Sequence, residues 1–168
     1  MSHEPITSQQ ASRKDEHLEL AMRLHGQDRA GAFDEVSFIH HSLPGVSAEQ
    51  VDIGTTVLGC RWEVPFYINA MTGGTQTTAA INAGLAEAAA EAGVAIACGS
   101  QHVALRDPER ADGFRVIRRR APGAFVLANV GPTVSPQEAL QAVEMLEANA
   151  LQIHLNAAQE LVMPEGDR

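Results

Sequence analysis

Four short apolar runs set the frame: PFYINAM from Pro65, VAIACGS from Val94, AFVLANVG from Ala124 and LQIHLN from Leu151. They begin roughly 30 residues apart, the length of one strand plus the crossover a parallel neighbour requires. Helical patterns fill the intervals. TTAAINAGLAEAAAEAG places Ile81, Leu85, Ala88 and Ala92 on one stripe and stops at Gly93, which suits a left-handed helix cap. Asp107-Pro108 opens a second helix that runs through RADGFRVIRRR to the breaker Pro122-Gly123. SPQE opens the third, with Ser135 as N-cap, Pro136 in the first turn, Glu138 closing a capping box, and Ala139, Val143 and Leu146 as its apolar stripe. Strand alternating with helix in this way means an α/β fold built on a parallel sheet.

Two architectures satisfy that alternation, an open doubly wound sheet and a (β/α)8 TIM barrel. Asn69, Ser100, Asn129 and Asn156 each fall at the carboxyl end of a run. Polar groups at that level on four successive strands favour the barrel, whose loops all gather at one mouth, over an open sheet, which binds at one switch point. Eight strands take about 250 residues. The expectation is therefore that only the first four or so βα units are present, in the N-terminal half of a longer protein. A free half-barrel would leave two strand edges and an inner face bare. Residues 1–64 read as an N-terminal helix and hairpin segment, and residues 65–168 as the half-barrel. RKDEHLELAMRLHG carries Leu18, Ala21, Met22 and His25 along one helical stripe, and VDIGTTVLGCRWEV reads as an antiparallel hairpin.

A net charge of −9 argues against general nucleic-acid or anionic-membrane binding. No apolar run approaches the ~20 residues of a membrane helix. The polar opening MSHEPITSQQAS lacks the apolar core of a secretory signal. Cys60 and Cys98 stand alone, as expected of a reduced, cytoplasmic protein. In so acidic a chain, a phosphorylated ligand needs a local cluster of cations or a metal.

Several stretches carry that chemistry. RKDEH sets Arg13, Lys14 and His17 side by side, either as a phosphate clamp or as the wet face of a helix. NAMTGGT follows the first run; its adjacent glycines let backbone approach a flat ligand, or simply make a turn. GSQHVALRDP supplies Ser100, Gln101, His102 and Arg106, which suit a diphosphate, although Arg106 pairing with Asp107 or Glu109 is the plainer reading. RRR, residues 118–120, falls in a helix's last turn, where cations complement the macrodipole, and is assigned no function. In QIHLNAAQE the period of two turns Gln152, His154 and Asn156 inward, while Leu151, Ile153 and Leu155 face covering helices. Buried polar groups need a partner, and Glu160 beside them is a hard oxygen donor suited to Mg²⁺.

RKDEH, FIHHSLP, PFYINAMTGG, GSQ, ANVG and LQIHLNAAQELVMPEGDR, in this order, resemble the type 2, FMN-dependent isopentenyl-diphosphate isomerases. The resemblance runs from Arg13 to the last residue. It implies a (β/α)8 flavoprotein of isoprenoid biosynthesis that interconverts isopentenyl and dimethylallyl diphosphate, using reduced FMN, Mg²⁺ and NADPH. Carried over, Arg13, Lys14 and His17 hold the diphosphate. Met71, Thr72, Gly73, Ser100 and Asn129 contact FMN, and Ser100, Gln101 and His102 line the substrate pocket. His154, Asn156 and Gln159 meet the reacting substrate, and Glu160 ligates Mg²⁺. Many members carry Arg where this chain has His102. The partners implied are a small diphosphate and, in a homo-oligomer, further copies of the chain. Because such barrels seat the FMN phosphate on loops after their last two strands, weak FMN binding and no turnover are expected of these residues alone. The rival readings are an FMN-dependent 2-hydroxy acid oxidase and a non-catalytic half-barrel.

Overall fold

The computed structural model describes residues 6–26, 31–43 and 45–162. Helix α1 (Ile6–Leu24) starts well before the RKDEH motif and ends before His25, which leaves that residue off the expected stripe. The hairpin forms as read: β1 (Thr55–Val57) pairs antiparallel with β2 (Cys60–Trp62). Leu58 and Gly59 link them, both with positive φ, at +50° and +79°. That is the backbone a two-residue primed turn needs, and it is costlier for leucine than for glycine.

The remaining strands, β3 (Tyr67–Ile68), β4 (Ala95–Ala97), β5 (Val126–Val130) and β6 (Ala150–Ile153), form one parallel sheet in the order β3-β4-β5-β6. Register pairs Ile68 with Ile96, Ala97 with Leu127, and Asn129 with Gln152. Helices α2 (Gln76–Ala92), α4 (Asp112–Arg120) and α5 (Pro136–Leu146) supply the crossovers. Ile96, Val126 and Ala128 on the strands meet Ala86, Phe114, Ile117 and Leu146 on the helices in a single buried core. Alanines on α2 allow the close approach of helix to sheet that the low aromatic content (4%) requires. Beyond β6 lies α6 (Ala157–Val162).

Gly93 caps α2 in the left-handed region, at φ +67°. Ser135 caps α5 as expected: Glu138 N–H donates to Ser135 Oγ at 3.3 Å, and Ser135 N–H donates to the Glu138 carboxylate at 2.8 Å. The second crossover corrects the sequence reading. Instead of one helix from Asp107, the chain makes α3 (His102–Arg106), a 3-10 turn at Pro108–Arg110, and then α4. Pro108 supplies no amide hydrogen, so Asp107 caps the new turn through Glu109 N–H at 3.3 Å. Asp107 pairs with Arg110 at 2.9 Å and not with Arg106.

RRR falls in the last turn of α4, as read, and the structure adds a scaffold role for its first residue. Arg118 is the clasp of the sheet's amino-terminal end. Its guanidinium donates to the carbonyl oxygens of Leu146, Pro122, Ala124 and Glu147, and to Asn149 Oδ1, at 2.8–3.2 Å. Asn149 Oδ1 also accepts from Val126 N–H at 2.9 Å. One planar cation thereby ties the ends of α4 and α5 to the starts of β5 and β6. Trp62 packs edge-on against Tyr67 and Phe125 at the same end, with ring centres 5.9 and 5.3 Å away. A second correction concerns β6: Ile153 and Leu155, expected beneath helices, are exposed, and no described element covers them. No described helix is long and apolar enough to cross a membrane.

Candidate functional site

Parallel strands deliver their following loops to one end of the sheet, and there a cleft of about 670 Å³ opens. Its walls come from five segments that are far apart in sequence. Arg13, Lys14 and His17 descend from α1; Ala70 and Met71 follow β3; Gly99, Ser100, His102 and Val103 follow β4. Asn129 with Gly131, Pro132 and Thr133 comes from β5, and His154, Leu155 and Asn156 follow β6. An Asp15 carboxylate oxygen accepts from the Thr75 hydroxyl at 2.8 Å, which joins α1 to the N-cap of α2. The three cationic positions thus lie against polar groups from three strand ends.

The cleft's electrostatics are local. Much of the His17 side chain is exposed, yet the surrounding packing removes enough water to lower its pKa below the usual imidazole value. Lys14 and then Arg13 push it the same way, with Glu16 opposing. A proton on His17 is therefore held more weakly than on a free imidazole. Behind the cleft, Cys98 is fully buried, and loss of hydration pushes its thiol up to about 12. It is a core residue and not a nucleophile.

Nine of the expected site residues share this cleft: Arg13, Lys14, His17, Met71, Ser100, His102, Asn129, His154 and Asn156. Three do not reach its wall. Gln101 is fully buried and serves the scaffold. Its Nε2 donates to the Ala142 carbonyl at 2.8 Å, and its Oε1 accepts from Asn129 N–H at 2.9 Å. The expected substrate contact of Gln101 is therefore corrected: the side chain points away from the mouth to fix the residue beside it. Gly73 lies buried against the Phe114 ring, in space a Cβ would fill, and Gly74 takes φ +96° against Val103. Those glycines serve close internal packing, which the ligand-approach reading had not foreseen. Thr72 is also buried, one residue from Met71, and its hydroxyl has no hydrogen-bond partner among the described residues. Gln159 and Glu160 lie in the backbone of α6; their side chains fall outside the described residues.

The sequence reading missed Asp15 and the Gly131–Thr133 turn. The turn had a signal, since it occupies after β5 the place GSQ occupies after β4. The Asp15 contact had none, because it spans sixty residues.

The sequence pattern of the FMN-dependent dehydrogenase family matches residues 22–155. The chain belongs to that family. Within it, the chain is similar to isopentenyl-diphosphate delta-isomerases. That of Kitasatospora griseola is 54% identical over 162 residues, covering 94% of this chain and 44% of the relative. That of Latilactobacillus sakei is 52% identical over 164 residues, covering 98% and 47%. The Streptomyces sp. (strain CL190) protein is 50% identical over 159 residues, covering 94% and 44%. The chain thus spans about half the length of the curated relatives it matches.

Membership in the FMN-dependent dehydrogenase family makes FMN the cofactor to test against the geometry, and the residues present fit its ring. The cleft is of ligand size, Met71 offers an apolar face, and Ser100 and Asn129 offer polar contacts along one wall.

Proposed function

We propose that this chain forms the first four βα units of a (β/α)8 barrel, in an FMN-dependent isomerase that interconverts isopentenyl and dimethylallyl diphosphate. The observation that carries the reading is the convergence, in one cleft, of Arg13, Lys14 and His17 from α1 with Ser100, Asn129, His154 and Asn156 from three strand ends. Identity of about half to named isopentenyl-diphosphate delta-isomerases supports it.

The division of labour follows from charge. Arg13 and Lys14 take the diphosphate oxygens, with Arg13 suited to a two-pronged contact and Lys14 to a point charge. His17 gains its proton as the anion neutralises its cationic neighbours. His102, where many relatives of this type carry Arg, adds a weaker, protonation-dependent contact. Anchoring the diphosphate fixes the alkene end against the flavin face near Met71 and Ser100, so positioning lowers much of the barrier.

The reaction is redox-neutral: the terminal alkene carbon gains a proton, the double bond moves one position, and a proton leaves two carbons along. Reduced FMN supplies acid–base chemistry beside the alkene, while the protein supplies orientation and exclusion of water. Gln159 and Glu160 belong to α6, the helix that follows β6; Gln159 would meet the reacting end, and Glu160 would hold Mg²⁺ against the diphosphate. NADPH keeps the flavin reduced. The setting is cytoplasmic, and the holoenzyme is a homo-oligomer.

The experiment replaces the matching segment of the Kitasatospora griseola relative with this chain. The chimaera, given FMN, NADPH and Mg²⁺, should convert isopentenyl diphosphate to dimethylallyl diphosphate, and Glu160→Gln should depress that rate. A folded, flavin-bound chimaera that makes no dimethylallyl diphosphate would contradict the proposal.

A further inference from the structure

Four polar side chains form a chain of hydrogen bonds across the mouth, and one backbone amide orients them all. Ala70 N–H donates to the Asn69 side chain at 2.8 Å, and a backbone N–H only donates, so the atom it meets is the oxygen, Oδ1. Gln152 faces that oxygen and the Tyr67 hydroxyl, each at 3.4 Å, with its NH2 group as donor. The opposite amide orientation would set oxygen against oxygen. Gln152 Oε1 then faces Asn129 and accepts from its Nδ2 at 3.0 Å. What Asn129 has left is Oδ1, which lies 2.8 Å from His154 Nδ1. A carbonyl oxygen only accepts, so the hydrogen between them resides on the imidazole.

We infer that the relay Asn69–Gln152–Asn129 holds neutral His154 as its Nδ1–H tautomer and presents the Nε2 lone pair to the cleft. Imidazole tautomers are chosen by what the first nitrogen touches, and here the hydrogen bond from Asn129 Nδ2 to Gln152 Oε1 decides which amide atom that is. Asn129 is 2% exposed. Its backbone is gripped on both sides by Gln101, whose N–H donates to Asn129 O at 2.9 Å and whose Oε1 takes Asn129 N–H. Gln101 and the relay are thus positioning residues, acting through His154.

The consequence is a division by polarity inside one cleft. On the α1 side, Arg13, Lys14 and His17 recognise an anion. On the β6 side, the neutral form of His154 offers an acceptor, so the ligand group that fits it is a hydrogen-bond donor, a ring N–H or a hydroxyl. The tautomer rests on these hydrogen bonds alone. Only its use beside a flavin rests on the isomerase reading, so an inactive chimaera would leave it standing.

The test is long-range ¹H–¹⁵N correlation spectroscopy on the ¹⁵N-labelled chain, with His154 assigned by the signals missing from His154→Asn. In the neutral ring, Nδ1 should carry the hydrogen with a preference of about tenfold, the ratio that one net hydrogen bond sustains. Gln152→Met, which frees Asn129 to rotate, should erase that preference. Asn129→Asp should keep it, because a carboxylate still accepts from Nδ1–H. A neutral wild-type ring carrying its hydrogen mainly at Nε2, or an unchanged preference in Gln152→Met, would overturn the assignment. Should Gln152→Met fail to fold, the wild-type spectrum decides alone.

Discussion

The two ends of the parallel sheet solve opposite problems. At the amino-terminal end, Arg118 and Asn149 satisfy the carbonyls and amides of two helix ends and two strand starts, and the Trp62, Tyr67 and Phe125 rings fill the space between. At the carboxyl end, the side chains are oriented by neighbours yet still face a cleft. Cations mark both ends, but their partners differ. Arg118 spends its donors on the chain's own backbone, whereas Arg13 and Lys14 line an opening large enough for a ligand. A run of arginines is thus no guide to anion binding until one knows which carbonyls lie within reach.

Breaking each end should have separable consequences. The largest effect is expected at the floor: Arg118→Ala leaves several carbonyls without their donor and should cost about 3 kcal/mol of stability, read by urea denaturation, without changing pyrophosphate affinity per folded molecule. Gln101→Leu strikes between the ends. It strands the buried Asn129 N–H, so about 2 kcal/mol of stability should be lost, together with the His154 tautomer preference seen by NMR. At the mouth the pattern reverses. Lys14→Ala should weaken pyrophosphate binding about tenfold in calorimetry, while stability stays within roughly 0.5 kcal/mol, as for other surface changes. An Lys14→Ala variant that melts early but binds normally would make α1 a structural strap.

Smaller effects sharpen the contrast. His17 titrates below the usual imidazole value in the free protein, and an anion bound beside it would favour its protonated form. Pyrophosphate affinity should therefore strengthen as pH falls through the imidazole range, and His17→Asn should flatten that dependence. Smallest is a difference between the two thiols. Cys60 is exposed and should react with iodoacetamide in the native protein, whereas buried Cys98, held protonated up to about 12, should react only on unfolding.

Much of this was legible in the sequence because periodicity and caps are local. The interval between apolar runs foretold the sheet order, Gly93 and Ser135 marked a helix end and a helix start, and three of the four polar residues closing the runs (Ser100, Asn129 and Asn156, but not Asn69) line the cleft. What escaped depends on distance in sequence. Arg118 reads as an ordinary last-turn cation because its partners lie in the segment 121–149. Gln101 looks like a loop amide until α5 folds over it and supplies the Ala142 carbonyl. The glycines of MTGG signal a close approach, but Phe114 and Val103, the groups that approach, come from the next crossover. Motif spacing locates a site, and tertiary contacts decide which side of it each residue serves.

The central claim is that the carboxyl end of this sheet is the anion- and flavin-binding end. Titrating the ¹⁵N-labelled chain with inorganic pyrophosphate and mapping the perturbed amides tests it most directly. The response should concentrate at residues 13–17, 99–102 and 129–133, with the Arg118–Arg120 segment silent. A response centred on residues 118–120 and 147–149, with α1 unmoved, would contradict it.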